Sequence, residues 1–399
     1  MPSHAFLKGI KVVDLTRALA GPFCSMMLAD MGADVIKVES PDGGDESRSW
    51  GPPFLSGESA YFLSINRNKK SIALDLKRDE GREILLRLLK AADVFIENFR
   101  PGTTARLGID YESLKKIKPE LVYCSISGFG QTGPDSGKPG YDIIALASSG
   151  MMSITGEPDR PPVKMGAPLS DIGAGMYSAY AIVCALFRKK ATGLGERIDT
   201  SLQDGMVSWL THQAGSFFAT GENPPRLGSA HSSVAPYQAF KGKDGSYFVV
   251  GVGNDKMWRE FCLAIDADGL QGDARFLTNS ERVKHRAELE AELVQIFSKD
   301  TSANWVLKIS QTGIPCSEIR SLSEVFSDPH VVSREMVRET HHPKAGLVKQ
   351  VGLPYHFANF DFDIRSPPPM LGEHTREILS SLGCSSLEIE KLKSSGIIK

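Results

Sequence analysis

Residues 10–39 read IKVVDLTRALAGPFCSMMLADMGADVIKVE. Ile10-Lys11-Val12-Val13-Asp14-Leu15 is a short β-branched run, 23–31 is an apolar stretch of helical length, and Val35-Ile36-Lys37-Val38-Glu39 is a second β-branched run. Strand, helix and strand in such close succession predict a βαβ crossover, the unit from which parallel sheets are built. The alternation continues downstream. An extended segment at 71–76, an amphipathic helix at 78–90, the strand Val94-Phe95-Ile96-Glu97, a helix at 111–117 and a strand at 121–127 follow in turn. This pattern predicts the α/β class, with helices packed over a parallel sheet.

Farther along, an apolar helix begins near Asp171, Gly193-Leu194-Gly195 makes a turn, 197–199 is extended and 202–218 reads as helical. Gly221-Glu222-Asn223-Pro224-Pro225 is rich in helix and strand breakers and places a domain boundary, so the first domain spans 1–222. Beyond it, 237–240 and 247–251 flank Lys243-Asp244-Gly245 and predict an antiparallel hairpin. Helices follow at about 255–265, 281–298 and 303–311. This smaller α+β domain spans 223–329. Pro367-Pro368-Pro369 then precedes a helix at 373–382.

The chain has 399 residues, 41% apolar and 24% charged, with a formal net charge of −2. Its cations are scattered, so nothing in the charge pattern would attract a nucleic acid. Six cysteines stand far apart without a C-x-x-C pair, which predicts a reducing, cytoplasmic setting. Residues 1–8 lack the apolar core of a secretory signal. The apolar segment at 172–187 is shorter than the ~20 residues a bilayer span needs, and it reads as a buried core helix. No membrane partner is expected.

Gly128-Phe129-Gly130-Gln131-Thr132-Gly133 matches G-x-G-x-x-G after a strand. A dinucleotide fingerprint must open a helix, however, and the run 134–140, with two prolines and two glycines, can hardly be helical. A glycine-rich loop is the expectation. Asp171 follows Pro168-Leu169-Ser170 at the start of the apolar helix, where free N–H groups and the helix dipole favour an ionised carboxylate. Such a carboxylate can attack a thioester carbonyl, although aspartate is also an ordinary helix cap. Tyr141-Asp142 likewise starts an apolar stretch and reads by default as a helix start. Lys69, Lys70, Lys77, Arg100 and Arg106 are candidate phosphate contacts, with solvated surface as the default for each. His231 lies alone in a polar loop, no His or Cys has metal-ligand spacing, and no G-x-S-x-G elbow occurs.

Taken together, these residues resemble the class III CoA-transferases, the family containing formyl-CoA transferase, carnitine CoA-transferase and the α-methylacyl-CoA racemases. The resemblance spans nearly the whole chain. It rests on Asp14-Leu15-Thr16 with Ala20-Gly21-Pro22, on 32–39, on Asn66-Arg67-Asn68-Lys69-Lys70-Ser71-Ile72, on Glu97-Asn98-Phe99-Arg100-Pro101-Gly102 and on Leu371-Gly372-Glu373-His374-Thr375. Within the family, Ser49-Trp50-Gly51-Pro52-Pro53-Phe54 and the run 228–240 look closest to the succinyl-CoA:glutarate branch.

The resemblance implies that Asp171 is a catalytic nucleophile that carries first the acyl group, as an anhydride, and then CoA, as a thioester. It implies a CoA-binding role for Arg17, Ala18, Leu74, Lys77, Asn98, Phe99, Arg106 and Leu107, and a loop at 251–255 that covers the reacting acid. CoA enters as acyl-CoA substrate, with no permanently bound cofactor and no metal. The racemases carry an acid/base histidine where this chain has Tyr141, and a phenol is poorly suited to remove an α-proton near neutral pH. Transferase is therefore expected over the alternative, α-methylacyl-CoA racemase, with Tyr141 orienting the acyl group. A catalytically silent CoA-binding protein is a further alternative, which the presence of Asp171 disfavours. Leu19 stands where formyl-CoA transferase has a glutamine, which argues against a small oxalate or formate pocket. Arg17 is a candidate for the distal carboxylate of a dicarboxylate, with a CoA phosphate or a surface acid as the alternative partners. The implied fold is a Rossmann-like large domain to which 330–399 returns, in an interlocked homodimer.

Overall fold

Val12, Val13 and Asp14 are all buried because β1 (Lys11–Asp14) runs in the middle of a sheet covered on both faces. In this computed structural model, which describes residues 5–399, β1 is followed by α1 (Ala20–Asp30), β2 (Asp34–Glu39), β3 (Lys69–Ala73), α2 (Asp79–Ala91), β4 (Val94–Glu97) and β5 (Val122–Ser127). Then come α3 (Asp142–Ser148), α4 (Leu169–Thr192) and β6 (Glu196–Ser201). All six strands pair in parallel in the order β3-β2-β1-β4-β5-β6. The strand order reverses between β1 and β4, the Rossmann arrangement, and a crevice opens past the carboxyl ends of those two strands. On one face α2 buries Ile84, Leu85, Leu88 and Leu89, each contributing ~1.5–3 kcal/mol. On the other, α1 and α4 pack on Val35, Val94 and Val122.

The chain forms two units. The first comprises Met1–Met151, Met165–Ala214 and Pro329–Lys399. Its last segment, with the hairpin strands Val337–His342 and Gly346–Val351, is tied to β3 and the turn before it. Asn68 Oδ1 accepts the N–H groups of Arg365 and Ser366 at 2.7 and 3.1 Å, and the Arg67 guanidinium donates to the Val351 carbonyl at 2.7 Å. Arg67 also clasps buried Asp30 at 2.8 Å.

The second unit comprises Met152–Lys164 and Gly215–Asp328. Here Tyr237–Lys241 and Tyr247–Gly251 form the expected hairpin, with Gly245 at φ 83° in its turn, and Cys316–Glu318 adds a third strand. Phe248, Trp258, Phe261 and Phe297 fill its core. Arg226 holds the 152–164 segment by donating to the carbonyls of Glu157, Pro158 and Arg160.

The helix expected over 202–218 is two helices, Leu202–Ser208 and Thr211–Thr220. Thr211 sits at φ 37°, a left-handed conformation that a continuous α-helix cannot pass through, so the helix breaks there. The glycine-rich loop after β5 opens no helix; the next helix begins at Asp142. By length and composition α4 could cross a membrane. One of its faces is buried on α1 and the sheet, while Tyr180 and Phe187 are 71% and 78% exposed.

Candidate active site

Past the carboxyl end of β1 the chain turns a tight corner at 16–18. Asn98, just past β4, grips this corner from both sides: its Oδ1 accepts the Arg17 N–H at 2.9 Å and its Nδ2 donates to the Arg17 carbonyl at 2.8 Å. The Arg17 guanidinium lies 5.2 Å from the centre of the Phe99 ring. Arg17, Leu74, Lys77, Phe99 and Leu107 together line a cleft of about 190 Å³ at this switch point. Leu74, Phe99 and Leu107 give it apolar walls, and the cations Arg17 and Lys77 are solvent-accessible. Such a cleft suits a ligand that combines a flat apolar part with anionic groups.

Of the eight residues the resemblance named for CoA, those five line the cleft. Asn98 and Ala18 belong to the corner, the latter through an N–H that donates to Asp45 at 3.1 Å. Arg106 is exposed on the short helix Thr103–Leu107 that carries Leu107. Lys69 is not a phosphate contact. It is fully buried, and its three ammonium protons are taken by Asp14, Asn66 and the Pro22 carbonyl at 3.3, 2.8 and 2.8 Å. Lys70 pairs with Glu377 at 2.8 Å.

Asp171 stands in the first turn of α4, and α4 meets α1 at close range. A Cβ on Gly175 would lie 2.7 Å from the Ala20 carbonyl oxygen, and one on Gly21 would lie 2.2 Å from Thr16 Cβ. Only glycine permits either approach. Residues four apart share a helix face, so Asp171 lies on the same side of α4 as Gly175, one turn nearer the start of the helix. Its neighbour Ile172, like Phe23 and Tyr61, packs against the small core of Leu19, Met26 and Ile65.

Burial, and then the charge of Asp142, push the Asp171 carboxyl up from its ordinary 3.8 to about 7. Asp142 is held in place by Ser170, whose N–H and hydroxyl both donate to its Oδ1, at 2.9 and 2.8 Å. The Tyr61 phenol is raised to about 12, first by burial and then by the charges of Asp171, Asp142 and Asp45. One phenol thus lies within electrostatic reach of both Asp171 and Asp45, the acid that bonds the 16–18 corner. Tyr141 caps α3 without a side-chain hydrogen bond, and the residue is 59% exposed. The 251–255 segment belongs to the second unit, where Asn254 caps the helix Asp255–Ala264.

A half-protonated, partly desolvated carboxyl close to neutral pH can serve as nucleophile or as proton donor. Among the described residues no group of three His, Cys, Asp or Glu is placed to hold a metal ion. Asp45, Tyr61 and the influence of Asp142 on Asp171 were not found by reading the sequence. An acid in Gly43-Gly44-Asp45-Glu46-Ser47 looks like part of a solvated turn. The one available signal was its position just past the carboxyl end of a sheet strand.

The sequence model of CoA-transferase family III matches residues 7–375. A succinyl-CoA:glutarate CoA-transferase of Mus musculus is 44% identical over 98% of this chain and 90% of its own length. A succinate–glutarate CoA-transferase of Agrobacterium fabrum is 42% identical over 94% of this chain and 95% of its own. The crystal structure of a CAIB/BAIF family protein from Brucella suis superposes with a TM-score of 0.85 at 42% identity, covering 95% of this chain and all of the other.

Proposed function

The chain belongs to CoA-transferase family III and is an acyl-CoA:carboxylate CoA-transferase, and from that premise we propose that it moves CoA from succinyl-CoA, or another dicarboxyl-CoA, to a dicarboxylic acid of glutarate size, with Asp171 as nucleophile. The observation that carries this reading is the placement of Asp171, a largely buried acid raised to about 7 in the first turn of the helix that packs closely on α1, which follows the corner of the cleft in the chain.

The Asp171 carboxylate attacks the thioester carbonyl, the C–S bond breaks, and an acyl-aspartyl anhydride and a CoA thiolate result. The thiolate then attacks the aspartyl carbonyl, releasing the donor acid and leaving an aspartyl-CoA thioester. The acceptor carboxylate attacks that thioester and displaces the thiolate. Attack of the thiolate on the acceptor's acyl carbon yields the new acyl-CoA and restores Asp171. No proton or electron is gained or lost over the cycle, so the chemistry asks for neither a metal nor a resident cofactor.

Arg17, Ala18, Leu74, Lys77, Asn98, Phe99, Arg106 and Leu107 form the CoA site in this reading, with Arg17 and Lys77 available to its phosphates. Tyr141 orients the acyl group. The active form is an interlocked homodimer, which gives the exposed apolar residues Tyr141, Ile143, Tyr180 and Phe187 a place to be covered. The enzyme is cytoplasmic and acts away from membranes, in keeping with six free thiols. Light scattering combined with activity tests the dimer; an active monomer contradicts it.

Substrate assignment is tested by supplying succinyl-CoA with a panel of mono- and dicarboxylic acids. Transfer to dicarboxylates without deuterium exchange at the α-carbon of the acyl-CoA is the expected result. Exchange that proceeds with no acceptor present would support the racemase reading, against which Tyr141 stands.

A further inference from the structure

Five successive backbone groups at the 16–18 corner are each held by a side chain from elsewhere in the fold or from the end of β1. The Thr16 N–H donates to Asp14 at 2.9 Å, and the Thr16 carbonyl accepts from Lys37 Nζ at 2.8 Å. Asn98 takes both groups of Arg17, and Asp45 Oδ1 accepts the Ala18 N–H at 3.1 Å. Ala18 lies at φ 66°, a left-handed conformation that its Cβ resists, so the corner keeps this shape only while it is held.

Two of these holds are linked. Asp45 Oδ2 pairs with Lys37 Nζ at 2.8 Å, and neither side chain has any exposure. The same Asp45 Oδ1 accepts the Ser47 N–H and hydroxyl at 2.9 and 2.8 Å. Its own backbone N–H is fixed on Glu39 at 3.0 Å, and Arg48 grips that carboxylate through two bonds of 2.7 and 2.8 Å. The Lys37–Asp45 pair therefore spans the corner, fastened at Thr16 on one side and at Ala18 on the other. Between those points sits Arg17, whose guanidinium lines the cleft beside Phe99.

We propose that Asp45, acting with Lys37, is a positioning residue for acyl-CoA: the pair locks the Thr16–Ala18 corner so that Arg17 is presented to the cleft before any ligand arrives. This rests on the reading of the cleft as the CoA site. Preorganisation removes the cost of ordering the loop from the binding step. Where the corner is free to relax, only a fraction of molecules is competent to bind, and apparent affinity falls by that fraction. Bound ligand restores the corner, so turnover at saturation is retained.

Asp45→Asn keeps an acceptor for Ala18 and Ser47 but removes the charge paired with Lys37, leaving only the more distant Asp14 and Glu39. It is expected to raise the dissociation constant for free CoA and the KM for succinyl-CoA about tenfold, with kcat within about twofold of wild type. Ala18→Gly removes the steric objection to the left-handed corner, so Asp45→Asn is expected to cost less CoA affinity when measured against Ala18→Gly than when measured against wild type. Lys77→Ala, which touches the cleft and not the corner, is the control for the cleft itself. If Lys77→Ala and Arg17→Ala both leave CoA affinity unchanged, the CoA reading of the cleft fails. If they weaken CoA while Asp45→Asn leaves it intact, or lowers kcat at constant KM, the positioning role is overturned. Should Asp45→Asn not fold, Ser47→Ala removes one bond to Asp45 Oδ1 and is expected to shift CoA affinity in the same direction by a smaller factor; no shift overturns the proposal.

Discussion

Asp142 Oδ1 accepts both the backbone N–H of Ser170, at 2.9 Å, and its hydroxyl, at 2.8 Å, so a second carboxylate is fastened to the first turn of the helix that carries Asp171. Burial, and then that neighbouring charge, raise the Asp171 carboxyl to about 7.

As the proposed nucleophile Asp171 must be ionised, and a raised acid ionises only as pH rises through its shifted value. The plot of kcat/KM for acyl-CoA against pH is therefore expected to climb along an acid limb centred near 7. Asp142→Asn retains an oxygen acceptor for Ser170 while removing the charge, and moves that limb to lower pH. A limb that stays in place in the variant would mean that Asp142 does not act on Asp171.

Stability follows the opposite sign. Between its ordinary 3.8 and about 7, Asp171 holds its proton more tightly folded than unfolded, so this group makes the fold less stable as pH rises through that window. Asp171→Asn, inactive in transfer, is expected to melt a few degrees above wild type at pH 8 and to lose that advantage near pH 4. Thermal denaturation at the two pH values checks both halves.

How far the sequence predicts this fold depends on where the signal resides. The strands of the parallel sheet and the 237–251 hairpin were legible because β-branched runs and a Lys-Asp-Gly turn are local features. The break at Thr211 was not, since a left-handed residue there leaves the helical pattern of 202–218 uninterrupted in composition. Lys37 and Lys69 look like the outward residues of half-exposed strands, yet both are fully buried. A parallel sheet covered on both faces has no outward side, and their partners Asp45 and Asp14 come from other segments. For the same reason the cleft, whose walls come from 15–17, 38–45, 74–77 and 99–107, follows from topology and not from any one motif.

Arg17→Ala is expected to raise the KM for succinyl-CoA by about tenfold or more, the scale of one lost charged hydrogen bond. Steady-state kinetics with each substrate varied in turn separates two roles. If the KM for the dicarboxylic acceptor rises while CoA affinity is unchanged, Arg17 serves the acid rather than the coenzyme.

Arg67→Met strands the buried Asp30 carboxylate, which also bonds Asn68, and releases the Val351 carbonyl. Breaking a buried pair from one side costs about 3–5 kcal/mol. Denaturant unfolding of the variant should show a loss of that order, with the CoA affinity of the remaining folded protein close to wild type. A loss under about 1 kcal/mol, the range of surface pairs, would contradict the structural role given to this pair.

The central claim is that Asp171 carries the transferred groups covalently. Intact-protein and peptide mass spectrometry after incubation with succinyl-CoA and hydroxylamine tests it most directly, with wild type set beside Asp171→Ala. A hydroxamate mapped to Asp171 in wild type and absent from the variant is the predicted result. Wild-type protein that transfers CoA while Asp171 stays unmodified, or an Asp171→Ala variant that transfers at the wild-type rate, would contradict it.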